Sequence, residues 1–151
     1  RGGSREEVAG VLNRVIALDP RDGRELWRHD PRINLAQERA EGFISRGVAY
    51  WAGLHAAPGS GNGEAGGCAS RIFFGTVDAR LLALDAASGA ACAEFGEAGT
   101  VRLDRDVGQV QPGQYGITSP PAVIGDVVAY AALTFTVGAL IVVWRRPWRG
   151  R

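Results

Sequence analysis

An all-β fold is what these 151 residues predict, on three observations. A motif repeats: Val15-Ile16-Ala17-Leu18-Asp19-Pro20-Arg21-Asp22-Gly23 returns 66 positions later as Leu81-Leu82-Ala83-Leu84-Asp85-Ala86-Ala87-Ser88-Gly89. Each copy has a mechanical reading in which an apolar strand is followed by a turn capped by Asp and cornered by Gly at positive φ. Between the copies, short strand-like runs are broken by turn signals roughly every 8 to 12 residues, the spacing of a sandwich, barrel or propeller. A repeat built of several short antiparallel strands favours the β-propeller, whose blades hold about four strands each.

Taken in order, the N-terminal RGGSREEVAG has no apolar core and is not a signal peptide as it stands. The first motif copy gives a strand, a turn at Asp19 to Gly23 and a return strand ending on Trp27. Gly47 to Trp51 (GVAYW) reads as a further strand. Residues 53–67 are a Gly-rich flexible connection rather than a phosphate cradle, because no helical pattern and no Gly-Lys-Ser/Thr follow. Arg71 to Thr76 is a strand, residues 77–80 turn, and the second copy follows, with Phe95 as the counterpart of Trp27. Residues 96–117 are irregular. Asp104 and Asp106 lie there without the spacing of a Ca²⁺ loop, which makes a solvated loop the reading.

Val127 to Trp144 carries no charge over 18 positions and is followed by RRPWRGR. Two readings stand. As a helix it reaches the lower limit for crossing a bilayer, with a basic, Trp-bearing flank. As strands, its Val, Ile, Thr, Phe and Tyr suit a buried sheet.

Composition narrows the function. Seventeen basic residues against 16 acidic ones leave a net charge of +1, no footprint for nucleic acid. All basic residues are Arg, and the absence of Lys removes Schiff-base chemistry and any P-loop. There is no Met, even at position 1, which reads as a processed chain or a piece of something larger. Cys68 and Cys92 are too few for a disulfide framework; they either pair or stand as small apolar residues. His29 and His55 have no evident triad partner, and no metal-ligand spacing occurs.

Four blocks add a resemblance: NRVIALDPRDGRELWRHDPRI, SRGVAYW, CASRIFFGTVDARLLALDAASGAACAEFGEAG and GQYGITSPPAVIGDVV. In order and spacing, over roughly residues 13–129, they resemble the pyrroloquinoline quinone (PQQ) dehydrogenases, nearest to the membrane-associated glucose and polyol quinoprotein group. The resemblance implies about two blades of an eight-bladed propeller docked through Trp motifs. It also implies a periplasmic oxidation of a sugar, polyol or alcohol, with PQQ held beside Ca²⁺ and electrons passed to a quinone or cytochrome. Arg46 matches an arginine that contacts the cofactor's carboxylates or quinone oxygens, and Thr118 a threonine that hydrogen-bonds it.

The match has departures. Relatives place vicinal cysteines or a histidine where Ala40, Glu41 and Gly42 stand, and a cysteine where Ser45 stands. Thr136 and Val137 fall where Ca²⁺ oxygens are expected, and Ca²⁺ needs about six to eight of them. The catalytic aspartate of the family lies outside this chain, so no catalytic residue is expected in it. The expected organisation is a partial propeller over 1–129 and a divergent apolar tail over 130–151, a membrane segment or a frameshifted end. The competing expectation is a non-enzymatic, membrane-tethered β-repeat module that binds or assembles.

Overall fold

The computed structural model describes residues 13–34, 36–37, 45–53, 68–105, 107–109, 111, 113–133 and 139–144. Among them every regular element is a strand, and all pairings between strands are antiparallel. Strands β1 (Val15–Leu18) and β2 (Glu25–His29) form a hairpin. Strands β3 (Ala49–Trp51), β4 (Arg71–Gly75), β5 (Arg80–Asp85) and β6 (Thr100–Arg102) form a sheet in that order. Strands β7 (Ala122–Ile124), β8 (Val127–Leu133) and β9 (Ala139–Trp144) form a third sheet.

The repeated motif folds the same way twice. The Gly23 amide donates to the Asp19 carbonyl at 2.8 Å, and the Gly89 amide donates to the Asp85 carbonyl at 2.8 Å. Both glycines sit at positive φ, +75° and +73°, where a Cβ would be strained. The Asp side chains differ in their partners. Asp19 accepts from the Arg21 amide and guanidinium, which hold its carboxyl below the usual range. Asp85 accepts from the amides of Ala87 and Ser88 and from the Ser88 hydroxyl.

The two copies pair alike just past the turn, Leu18 with Glu25 and Leu84 with Ala91, and diverge after it, so Phe95 is not placed as Trp27 is. Trp27 leaves its own hairpin: its Nε1–H donates to the Ala86 carbonyl at 3.1 Å, and its ring covers Gly89. Phe95 folds inward onto Phe73 at 5.3 Å between ring centroids, in the core of its own sheet. Residues 93–95 turn, where the first copy continues as strand β2. Cys68 and Cys92 form a disulfide, with Cα atoms 5.7 Å apart. The open question of the two cysteines is thereby settled as a pair. Closing a 24-residue separation constrains the unfolded chain by about 3 kcal/mol.

The helical reading of residues 127–144 is also corrected. β8 and β9 pair from Val128 with Trp144 to Leu133 with Ala139. An uncharged run fits either form, and its dense β-branching favours the extended one. Among the described residues no helix is long and apolar enough to cross a membrane. Thr136 and Val137 lie outside the described residues, as do Ala40 to Gly42, His55 and Asp106.

The central strands β4 and β5 of the middle sheet are buried on both faces. Phe73, Leu81 and Ala83 point to one side with Ile117 and Val128, while Phe74, Leu82 and Leu84 point to the other against Val15 and Trp27. Replacing Trp27 by Phe keeps a ring on Gly89 but removes the donor, which is expected to cost about 1 kcal/mol. Replacing it by Ala also empties the contact and should cost about 3–5 kcal/mol. Urea unfolding of the three proteins should give midpoints in the order Trp27, Phe, Ala.

Candidate functional site

Arg46 and Thr118 are 72 positions apart, and the fold places them in direct contact. Arg46 lies just before β3, the edge strand of the middle sheet. Thr118 lies just before β7, the edge strand of the third sheet. The Arg46 amide donates to the Thr118 carbonyl at 2.8 Å, and its guanidinium Nη1 donates to the Thr118 hydroxyl oxygen at 2.9 Å. The pair is thus held at backbone and side chain at once. Gly47, at φ +150°, carries the chain past the Pro120 ring; a Cβ there would lie 3.7 Å from it. Pro120 has no amide to satisfy and fits this crossing.

The segment bearing Thr118 is anchored on the middle sheet. Ile117 is fully buried, and its amide donates to the Thr76 carbonyl at 3.0 Å. The Thr76–Val77 turn is held from the other side as well, because the Val77 amide donates to the Asn13 side chain at 3.0 Å. Asn13 stands just ahead of β1. The site therefore inherits its position from all three sheets.

Arg46 is one of three described arginines, with Arg32 and Arg105, that make no ion pair with a carboxylate among the described residues, and the one of them bonded to Thr118. Arg14, Arg21, Arg28, Arg71, Arg80 and Arg102 each face a carboxylate: Asp30, Asp19, Glu25, Glu94, Asp78 and Asp104 respectively. Arg46 is exposed and makes no ion pair among the described residues. One Nη1–H is engaged by Thr118. Among the described residues the rest of the planar fork meets no carboxylate, and a guanidinium suits an anionic oxygen pair better than ammonium does. The Thr118 oxygen accepts from Arg46, which leaves its own O–H to donate outward.

The remaining candidates have structural partners. His29 Nδ1 sits 3.2 Å from the Gly89 carbonyl, with its ring edge-on to Phe74. Burial, then the Arg80 cation, push its pKa down, against the Gly89 carbonyl and Asp30, which pull it up. Asp104 faces Arg102 and not a cation site. Among the described residues, the metal-capable grouping is Cys68, Cys92 and Glu94. Its sulfurs are tied to each other, and Glu94 is bound by Arg71 and the Cys68 amide. This group does not fit Ca²⁺, which takes oxygens. Sequence reasoning missed the Arg71–Glu94 pair and the stacking of Arg71 over Trp51 at 5.2 Å. Spacing carries no signal for either.

The family model described as the PQQ-dependent glucose/ethanol/alcohol dehydrogenase β-propeller domain matches residues 8–137. The chain is 37% identical over 122 residues to the glycerol dehydrogenase large subunit of Gluconobacter oxydans (strain 621H), covering 80% of this chain and 15% of that one. It is 32% identical over 129 residues to quinoprotein glucose dehydrogenase A of Acinetobacter calcoaceticus, covering 82% and 16%. It is 35% identical over 127 residues to a probable quinate dehydrogenase (quinone) of Xanthomonas campestris pv. juglandis, covering 77% and 16%. The chain spans about 15% of the length of the curated relatives it matches.

Two outcomes follow from this geometry. Thr118→Val removes the side-chain acceptor while leaving the carbonyl, so it should cost under about 1 kcal/mol of stability. The Arg46 amide should stay protected in hydrogen exchange. For His29, the folded pKa lies below the ordinary value near 6.5. The unfolded chain therefore binds the proton first, and the contribution of neutral His29 is full above about pH 6.5 and lost as pH falls below it. His29→Gln should flatten that acid limb in urea midpoints taken from pH 7.5 to 5.

Proposed function

The chain belongs to the PQQ-dependent glucose/ethanol/alcohol dehydrogenase β-propeller family, and from that premise we propose that it presents Arg46 and Thr118 to the anionic rim of PQQ. The observation that carries the reading is the two-point bond between Arg46 and Thr118, with the guanidinium exposed and unpaired among the described residues. PQQ is a polycarboxylate, so an unpaired Arg fork and a hydroxyl donor on a rigid seat suit it. When bound, PQQ supplies the two-electron acceptor for oxidation of a CH–OH group. Arg46 binds and orients its anionic oxygens, and Thr118 fixes Arg46 and donates its own hydroxyl proton.

For the whole protein we infer a dehydrogenase acting on a sugar, polyol or alcohol, with a quinone or cytochrome as electron acceptor. Relatives named for glycerol, glucose and quinate support that range. A periplasmic setting, at the inner membrane where a quinone acceptor resides, agrees with the Cys68–Cys92 disulfide, which persists in oxidising compartments. Ca²⁺ would draw its oxygens from residues other than those described here. The family match over residues 8–137 supports the enzyme reading over a non-enzymatic tethered module.

In the whole protein, Arg46→Ala removes charge-assisted hydrogen bonds worth about 1.5–3 kcal/mol. PQQ titration followed by protein fluorescence should show affinity lower by roughly 10- to 100-fold. Unchanged PQQ affinity in a folded variant would exclude Arg46 from the cofactor site.

A further inference from the structure

We propose that Gly75 and Ile117 are positioning residues for the Arg46–Thr118 pair, through a knob-and-hole contact that sets where the Thr118 segment lies on the middle sheet. The proposal rests on the reading of that pair as the cofactor contact. Neither residue belongs to it.

The contact is geometric. Gly75 ends β4, and a Cβ built on it would overlap Ile117 Cγ2 and come within 2.6 Å of Ile117 Cβ. Any side chain at position 75 must therefore move Ile117. Ile117 has nowhere to go: it is 0% exposed and packed in the core with Phe73, Leu81 and Val128. One residue earlier the chain is equally close. A Cβ on Gly116 would lie 2.6 Å from the Val77 carbonyl oxygen. Gly75 is buried and its φ is not in the left-handed region, so conformational freedom does not explain it. The space that a missing Cβ leaves does.

The contact passes directly to the site. The Ile117 amide is bonded to the Thr76 carbonyl, next to Gly75, so knob and backbone are fixed together. The next residue is Thr118. Its carbonyl and hydroxyl are the two acceptors for Arg46, so a shift of Ile117 by a few tenths of an ångström moves both acceptors together. Hydrogen bonds weaken steeply with such misalignment. Arg46 has no ion pair among the described residues to hold it otherwise.

The test uses the whole protein, with hydrogen exchange resolved to the Arg46 amide and a separate PQQ titration. Gly75→Ala fills the hole, and Ile117→Leu removes the Cγ2 branch that fills it at conserved volume and small cost in stability. Gly23→Ala serves as the control, since it strains a positive-φ turn with nothing within 4 Å of the added Cβ. Both site variants should speed exchange at the Arg46 amide by roughly tenfold relative to the control and weaken PQQ binding. If Gly75→Ala does not fold, Ile117→Leu decides. Arg46 exchange that stays at the control level overturns the positioning role and leaves the cofactor reading intact. Faster Arg46 exchange with unchanged PQQ affinity supports the positioning and overturns the cofactor reading.

Discussion

The constraint on which the structure depends is that β4 and β5, the central strands of the middle sheet, have no solvent face. Strand β5 reads Arg80-Leu81-Leu82-Ala83-Leu84-Asp85, and its four central residues are all buried. Alternation sends Leu81 and Ala83 one way and Leu82 and Leu84 the other, so both faces need a cover. Each buried Leu or Phe contributes about 1.5–3 kcal/mol, and an uncovered face forfeits that. The first hairpin supplies one cover through Val15 and Trp27; the third sheet and the segment before it supply the other through Ile117, Tyr115 and Val128. The second cover is what carries Thr118 to Arg46. The candidate site is a consequence of burying the sheet.

The joints between the layers are polar and specific where the faces are apolar. Trp27 donates to Ala86, the Val77 amide donates to Asn13, and the Arg80 guanidinium donates to the Pro31 carbonyl at 2.7 Å. Apolar faces alone allow sliding, because burial is non-directional. A hydrogen bond that becomes unsatisfied on sliding costs about 1–3 kcal/mol, enough to fix the register of one layer on the next. Glycines act at the same joints by omission: Gly89 makes room for the Trp27 ring and Gly75 for Ile117.

The fold class was legible because the Asp-to-Gly turn is a local device, read from a few adjacent residues. Its two copies fold with matching backbone bonds. The site residues were named by matching blocks and not by spacing, since nothing local tells Arg46 that Thr118 lies beside it. Phe95 does not mirror Trp27 because residues 93–95 turn where β2 runs on, and its packing on Phe73 depends on a side chain 22 positions away. The run from Val127 to Trp144 was ambiguous for a physical reason: without charges it shows no face, and period is the signal that separates helix from strand. Gly75 looked like any strand-end glycine, since its meaning lies in a side chain 42 positions away.

An exposed arginine is ordinarily a poor instrument for recognition, because ordering its side chain costs up to about 2 kcal/mol of rotamer entropy. The structure offsets part of that before any ligand arrives. The amide-to-carbonyl bond fixes the Arg46 backbone, the Nη1-to-hydroxyl bond fixes the far end of the same residue, and both acceptors belong to one threonine. The torsions between those two points are thereby restrained in the free protein. If the proposed anion binds there, less ordering would remain to be lost, and more of the charge-assisted bonding would show as affinity. A carboxylate partner would have fixed Arg46 as well, as Glu94 fixes Arg71, but it would have neutralised the charge. A threonine orients the cation and leaves it positive.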